Sequence, residues 1–245
     1  MNIIKLSTHL WLNSIKCLFQ GHVKSSDVFK AIDEIGLKSL PIIAIATAFA
    51  GIVITDEMVW HMKGAVDNIS ITPGLTGQFI FRELAIAIAS LLLVSKAGAS
   101  IAAEISSMKL SEQLDALHVL KIDPVQYLVA PKFLASIIST IGLSFFSICI
   151  TLLFSALMAS FQYGFNFMQY LEMVRQFSGF LDLICAFVKS CVFGSIIPVI
   201  ASAYGFQCRP GSKALGEATT QAVVSTTVLI IFLDLILSYL FTLID

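Results

Sequence analysis

Five long apolar runs alternate with short polar segments along this chain. The runs cover about residues 40–54, 84–103, 133–158, 180–203 and 222–244. Most have the length of about 20 residues that an α-helix needs to cross a hydrocarbon core of about 30 Å. Alternating strands of about ten residues, typical of a membrane barrel, are absent. The pattern predicts an all-α, polytopic membrane protein with about five transmembrane helices.

The first run is short for a full crossing. It ends at Ile54 after about 22 Å of helix at about 1.5 Å per residue. It must therefore tilt, thin the bilayer or continue through the acidic pair at positions 56 and 57. Residues 61–82 then form a polar excursion, in which Pro73-Gly74 predicts a turn.

Two amphipathic stretches precede the first run. Residues 8–20 place apolar and polar side chains on opposite faces of a helix: Trp11, Ile15, Leu18 and Phe19 against Asn13, Lys16 and Gln20. This pattern suits a helix in the membrane interface, or a helix packed on the rest of the protein. Residues 26–36 repeat it more briefly, with Ser26 as the predicted N-cap and Gly36 as the predicted stop.

A charged amphipathic segment, residues 104–120, connects the second and third runs and predicts one helix. Its face with Met108, Leu114 and Leu117 is apolar, and charged side chains occupy the remainder: Glu104, Lys109, Glu112 and Asp115. Such a helix either lies solvated at the membrane surface or contacts a soluble partner.

The distribution of the 15 Lys and Arg residues predicts the orientation. Only Lys63, Arg82 and Arg175 fall on the side opposite the N-terminus. Most of the others fall on the N-terminal side: Lys5, Lys16, Lys24, Lys30, Lys38, Lys109, Lys121, Lys132, Arg209 and Lys213. Because basic loops stay in the cytoplasm, the N-terminus and the 104–131 loop are expected there. No basic block suggests a nucleic-acid partner.

Charged residues in or beside the apolar runs require an explanation, since a charge at membrane depth costs a few kcal/mol. Lys189 and Asp234 both lie about 14 Å from the outer ends of their runs, and adjacent antiparallel helices could place them side by side. They form either a structural ion pair or part of a moving polar gate. Arg82 and Glu83 open the second run, where snorkelling alone could explain them.

Motifs of catalytic or metal sites are missing. The sequence has no HExxH, GxSxG or GxxxxGK[ST] motif, its four histidines are scattered, and its five cysteines form no CxxC pair. We therefore expect no catalytic residue, no metal and no cofactor in this chain. If transport uses ATP, another chain must bind it.

Several motifs in register resemble the MlaE/YrbE family of ABC transporter permeases. They are Arg82-Glu83-Leu84, residues 98–105, Met108, Glu112-Gln113, residues 115–117, Asp123-Pro124, residues 127–129, Pro131, residues 184–189, Tyr204-Gly205, residues 216–224 and Asp234. The family commonly has Gly-Pro where this chain has Ala85-Ile86, and Arg where it has Lys96.

The resemblance implies a homodimeric permease in the bacterial inner membrane, or in the plastid inner envelope. Such a permease moves phospholipid between the inner and outer membranes, with a cytoplasmic ABC ATPase and a periplasmic MCE-domain lipid-binding protein as partners. Residues 1–36 would form the interfacial segment, and residues 37–245 the permease transmembrane domain.

The resemblance also implies roles for individual residues. A coupling helix would contact the ATPase through Glu104, Met108, Glu112, Gln113, Asp115 and Leu117. A polar cluster near the lipid path would contain Arg82, Glu83, Lys189 and Asp234. The alternative is an ion-coupled secondary transporter or channel that uses Lys189 and Asp234 and is active alone. An intramembrane enzyme is disfavoured because no nucleophile–base pair is present.

Overall fold

The computed structural model describes residues 3–19, 24–65, 70–209 and 211–244, and all regular structure in these ranges is helical. The α-helices are α1 (Ile3–Phe19), α2 (Ser25–Ile35), α3 (Leu40–Ala65), α4 (Thr72–Phe79), α5 (Ala85–Leu93), α6 (Ala99–Leu110), α7 (Gln113–Val119), α8 (Ala130–Tyr163), α9 (Phe167–Phe177), α10 (Phe180–Phe206) and α11 (Ser212–Ile244). This confirms the all-α prediction.

Tighter and wider helical turns interrupt the α-helices. A 3₁₀ turn, Leu37–Ser39, joins α2 to α3. Three π-helical turns cover Ile80–Leu84, Val94–Gly98 and Val125–Val129. A π-helical turn closes its hydrogen bonds one residue further along than an α-turn and is frequently found at functional sites.

Five helical segments of the described chain are long and apolar enough to cross a membrane, as predicted. They are Ser25–Gly64, Thr72–Leu110, Val125–Tyr163, Phe180–Phe206 and Lys213–Leu243. The short first run is explained because α3 continues through Asp56 and Glu57 to Ala65. The helix therefore continues as the third alternative requires, while tilting and thinning of the bilayer stay predictions.

The predicted turn at Pro73-Gly74 is wrong. Both residues are buried inside α4, where Pro73 occupies the first turn and its missing N–H costs no helical hydrogen bond. Gly74 is there for packing, because a Cβ at this position would lie 2.3 Å from Cδ2 of Phe177 on α9. The glycine that indicated a turn in the sequence instead allows a close contact between two helices.

The predicted boundaries of α2 are half right. Gly36 ends the helix, and its N–H donates to the Ile32 carbonyl at 2.8 Å. Ser26 is not the N-cap: the helix begins at Ser25, and Lys24 holds the capping position without a side-chain hydrogen bond. The division of the chain at residues 36 and 37 stays a prediction.

The chain forms two compact units. The first is built from Met1–Ser39, Leu91–Ile141 and Cys191–Leu235. Its apolar core joins Leu10 of α1 to Phe133 of α8 and to Val199 and Ala203 of α10. Helix α1 is therefore packed on its own unit through Leu10, while the Trp11 side chain remains 40% exposed. Placement of that exposed face in the membrane interface stays a prediction.

The second unit is built from Leu40–Ser90, Gly142–Ser190 and Ile236–Asp245. Its core contains Ala156, Ala159, Tyr170 and Val174. Helix α9 packs closely on α4, since a Cβ at Gly77 would lie 2.6 Å from a methyl carbon of Val174. This unit holds the charged positions at the start of the second span.

Candidate functional site

A buried polar network in the second unit brings together three of the predicted residues: Arg82, Glu83 and Lys189. The Lys189 side chain has no exposed surface, and its Nζ lies 2.8 Å from Oε1 of Glu83. The same ammonium group donates to the Arg82 carbonyl and to Oγ of Ser238, each at 2.8 Å. Three oxygens therefore surround this buried ammonium group, and each of its N–H donors has an acceptor.

The backbone geometry at Arg82 and Glu83 is part of this network. Both residues lie in the π-helical turn Ile80–Leu84, where the Ala85 N–H donates to the carbonyl of Ile80, five residues earlier. The wider turn shifts the helical hydrogen-bond pattern, and the Arg82 carbonyl accepts a side-chain hydrogen bond from Lys189. The family's Gly-Pro is absent here, and the π-helical turn interrupts the α-helix directly before Ala85.

Sequence reasoning missed two members of the network, Asp182 and Ser238. Asp182 is 2% exposed, forms an ion pair with the Arg82 guanidinium and accepts a hydrogen bond from the Gly179 N–H at 2.8 Å. The Ser238 hydroxyl donates to Glu83 at 2.6 Å while it accepts from Lys189. Asp182 precedes Lys189 by two helical turns and shares its face of α10, which is the signal that could have found it.

The charges of these side chains balance, two cations against two anions. Arg82 pairs with Asp182, and Lys189 pairs with Glu83. Pairing is required, since an uncompensated charge in a membrane span is costly. Asp234, the predicted partner of Lys189, lies partly buried on α11 and belongs to the first unit. Its pairing with Lys189 stays a prediction.

The predicted coupling helix, residues 104–120, is two helices. Helix α6 ends at Leu110, and α7 begins at Gln113. Between them Glu112 has a φ of 58°, in the left-handed region, and its N–H donates to the Lys109 carbonyl at 3.2 Å. The prediction of one helix is wrong because no Gly or Pro marks this break, and a charged residue adopts the left-handed conformation instead.

The residues predicted for the ATPase contact differ in exposure. Leu114 is buried, and Met108 and Leu117 are partly buried, so these side chains face their own unit. Glu112, Gln113 and Asp115 are exposed, and Glu104 forms an ion pair with Lys132. At the end of α7 the apolar side chains of Val119 and Leu120 are also exposed, by 83% and 68%. This exposed surface mixes acidic and apolar groups.

Helix α7 ends in a Schellman motif that holds its last turn. The Ile122 N–H donates to the Leu117 carbonyl at 3.0 Å, and the Lys121 N–H donates to the His118 carbonyl at 3.0 Å. Lys121 takes the left-handed position, with a φ of 57°, that glycine usually fills. The break at one end and the cap at the other make α7 a short, defined helix.

Two contacts within the first unit hold α6 against the end of α10. The Lys109 ammonium donates to the carbonyl of Phe206, the last residue of α10, where a cation is favourable for the helix dipole. Beside it, Gly205 lies so close to Ile105 that a Cβ would approach the Ile105 Cβ to 2.7 Å. A displacement of α6 must therefore also displace the end of α10.

Comparison with known proteins identifies the family. The family model described as Permease MlaE matches residues 28–240 of this chain. A probable ABC transporter permease protein of Rickettsia typhi is 37% identical over 230 residues, which cover 94% of this chain and 86% of that protein.

Two further relatives extend the comparison. The intermembrane phospholipid transport system permease protein MlaE of Haemophilus influenzae is 30% identical over 215 residues, which are 85% of this chain and 80% of that protein. The chloroplastic protein TRIGALACTOSYLDIACYLGLYCEROL 1 of Arabidopsis thaliana is 31% identical over 224 residues, which are 91% of this chain and 64% of that protein. The chain belongs to the MlaE family of ABC transporter permeases, as the resemblance predicted.

Proposed function

We propose that this chain is the membrane subunit of an ATP-driven transporter that moves phospholipid between the inner and outer membranes of a bacterium. The observation that carries the proposal is the family match over residues 28–240, together with a relative named for intermembrane phospholipid transport. The site residues act by binding, holding charge and transmitting movement, with no chemical step assigned to them.

The energy would come from a separate cytoplasmic ATPase, since the sequence contains no phosphate-binding loop of its own. The exposed surface of α7 is the contact we assign to it. Glu112 and Asp115 supply charge for specificity, and Val119 and Leu120 supply apolar area. ATP-driven closure of the ATPase pair would press on α7, and the contacts of Lys109 and Ile105 would carry the movement to α10.

The remaining partners would be a second copy of this chain and a periplasmic MCE-domain protein that receives or delivers the lipid. The exposed side of α11 offers apolar area for a second copy, with Val228, Ile231 and Leu235 each more than half exposed. The N-terminus and the 104–131 loop would lie in the cytoplasm. The polar network of Arg82, Glu83, Asp182, Lys189 and Ser238 would meet the lipid path.

A second candidate function rests on Lys189. Lys189 is fully buried on a membrane span, and ionisable residues in such positions mark substrate, ion or proton pathways. In that case Lys189 and Asp234 would couple transport to an ion gradient. This candidate requires activity from the chain alone, without a bound ATPase.

The deciding experiment is a pull-down of the tagged full chain in a mild detergent, with mass spectrometry of the proteins and lipids that co-purify. We expect an ABC ATPase, an MCE-domain protein and phospholipid. Reconstitution with ATP should then transfer labelled phospholipid. A lone oligomer that transports its substrate without ATP would contradict the proposal and establish the ion-coupled candidate.

A further inference from the structure

A cavity of about 650 Å³ lies within the first unit, between α2, the π-helical turn Val94–Gly98, α6 and α8. Charged side chains of both signs line it, and apolar side chains from Ile35, Ile101 and Leu215 complete its wall. Neither the polar network nor the exposed surface of α7 uses this cavity. Five charged residues contribute to its lining: Glu34, Lys38, Lys96, Glu104 and Lys132.

Three of these charges are already compensated. Lys132 forms an ion pair with Glu104. Lys38 lies 3.6 Å from a carboxylate oxygen of Asp33. One cation and one anion of the lining, Lys96 and Glu34, take no part in these pairs.

Lys96 and Glu34 have no ionic partner among the described residues. The Lys96 ammonium donates to the backbone carbonyl of Lys38, which carries no net charge. Glu34 makes no hydrogen bond or ion pair within the described ranges, so it is not paired with Lys96. The cavity thus presents a cation and a carboxylate that are not paired with each other.

The backbone at Lys96 is also unusual. Lys96 is the central residue of the π-helical turn Val94–Gly98, where the Ala99 N–H donates to the Lys96 carbonyl. A π-helical turn inside a helix is rare and is frequently found at functional sites. Here its central residue is exposed toward the cavity and lacks a counter-charge within the described chain.

A ligand that satisfies both groups must itself carry an anion and a cation at separate atoms. A phosphoethanolamine group fits this requirement, since two carbon atoms separate its phosphate from its ammonium. The phosphate would bind the Lys96 ammonium and the hydroxyl of Ser100, and the ligand's ammonium would donate to the Glu34 carboxylate. The apolar wall would contact the carbon atoms beyond the phosphate.

We infer that this cavity binds the headgroup of an amine-bearing zwitterionic phospholipid, with the phosphate on Lys96 and the amine on Glu34. The inference rests on the proposed function, because it names the headgroup class that the permease selects. Phosphatidylglycerol lacks the cation for Glu34. Phosphatidylcholine has no N–H to donate to that carboxylate.

The test is native mass spectrometry of the purified full chain with an equimolar mixture of phosphatidylethanolamine, phosphatidylcholine and phosphatidylglycerol. The wild-type chain should retain phosphatidylethanolamine preferentially. Lys96→Ala should lower its occupancy about tenfold, as expected for the loss of a charge-assisted hydrogen bond. Glu34→Gln should abolish the preference over phosphatidylglycerol without lowering phosphatidylglycerol binding.

Matched variants separate binding from folding. Lys30→Ala removes an exposed lysine of α2, the helix that also carries Glu34, and Lys30 does not line the cavity. Glu172→Gln removes an exposed carboxylate of α9. Both should bind lipid as the wild type does. Lys96→Arg retains the charge and should retain most of the lipid binding. Retained binding in this variant shows that the loss in Lys96→Ala comes from the missing charge and not from a change in folding. Equal lipid selectivity in Glu34→Gln and Glu172→Gln would overturn the inference.

A free phosphate is the other source of the same chemistry, and a competition arm excludes it. Inorganic phosphate at millimolar concentration should not displace the lipid; displacement equal to that by phosphatidylethanolamine vesicles would overturn the inference. Co-purification of the ATPase and ATP-driven transfer are measured on the same preparation. Selective binding without an ATPase would reject the proposed function alone, and transfer without selective binding would reject this inference alone.

Discussion

The ammonium group of Lys189 lies 2.8 Å from a carboxylate oxygen of Glu83, and the lysine side chain is completely buried. Glu83→Gln removes the charge that compensates this ammonium at short distance. Breaking a buried ion pair by removing one partner costs about 3 kcal/mol or more, and we expect a loss of that size in the free energy of unfolding. Thermal unfolding in detergent, followed by circular dichroism, measures it.

The double variant Lys189→Met/Glu83→Leu distinguishes two roles of this ion pair, a purely structural role and a role in a movement during transport. Replacement of both charges by apolar side chains should restore stability to within about 1 kcal/mol of the wild type, because no uncompensated charge remains. If the pair moves during transport, this stable variant will still fail to transfer lipid. A double variant as unstable as Glu83→Gln would show that the charges are not coupled.

The left-handed residue Glu112 gives a second prediction, on the coupling surface. Glu112→Lys reverses a charge that is exposed between α6 and α7, so we expect ATP-driven transport to fall at least about tenfold while the subunits still assemble. Glu112→Gly removes the carboxylate but favours the backbone angle, and should raise stability by about 0.5–1 kcal/mol with reduced transport. Transport and co-purification of the ATPase are measured together.

Lys121 is the matched control for Glu112. It also has a positive φ, at the other end of α7, so Lys121→Gly should bring the same gain in stability. The acidic side chains of α7 remain in place, and transport should therefore be close to that of the wild type. Wild-type transport in Glu112→Lys would remove α7 from the coupling surface.

The sequence was sufficient for the elements that depend on local composition. Five spans and the all-α class follow from apolar runs of spanning length. The bounds of α2 differ from the prediction by one residue, whereas α3 ends at Ala65 rather than at Ile54. The break at Glu112 was not predictable because the left-handed residue there is neither Gly nor Asn. The turn at Pro73-Gly74 was misread because the glycine serves a contact with Phe177 rather than a change of direction.

The charged network shows a different limit of sequence reasoning. Arg82 and Asp182 are 100 positions apart, and Glu83 and Ser238 are 155 apart, so only the tertiary fold brings them together. The π-helical turn at Ile80–Leu84 changes which carbonyl is available to Lys189, and no residue type announces such a turn. The sequence analysis placed Arg82, Glu83 and Lys189 in one cluster, but it did not find Asp182 and Ser238.

Tyr170 of α9 gives a prediction on pH. Its hydroxyl lies 2.5 Å from Oγ of Ser155, which lies 2.6 Å from Oγ1 of Thr55. Burial raises the pKa of the Tyr170 phenol above its ordinary value, and the hydrogen bond with Ser155 lowers it in part. In the unfolded chain the phenol ionises at its ordinary pKa of about 10. The stabilisation by the neutral phenol is therefore complete below about pH 10 and decreases above it.

The comparison is between the wild type and Tyr170→Phe. At pH 8 the wild type should be more stable by about 1 kcal/mol, the value of one buried hydrogen bond. This difference should shrink at pH 11, because only the wild-type unfolded state gains stability from ionisation of this phenol. Tyr127→Phe, at a side chain that is 52% exposed, is the control and should leave the stability at pH 8 and at pH 11 unchanged. A difference that grows with pH would contradict the assignment.

The close approach of Gly205 to Ile105 predicts that α6 and the end of α10 move as one body. A methyl group at Gly205 would meet the Ile105 Cβ at 2.7 Å, so Gly205→Ala must push the two helices apart at a cost of about 1–3 kcal/mol. At Gly142 of α8 the same methyl group meets nothing within 4 Å, and Gly142→Ala should instead stabilise the helix by about 0.5–1 kcal/mol. Gly205→Ala/Ile105→Ala restores the space and should show a favourable interaction energy in a double-mutant cycle.

If the contact also transmits ATPase movement, Gly205→Ala lowers transport more than its loss of stability explains, whereas Gly142→Ala leaves transport unchanged. Equal unfolding and equal transport in the two alanine variants would show that α6 and α10 are not held together at this contact.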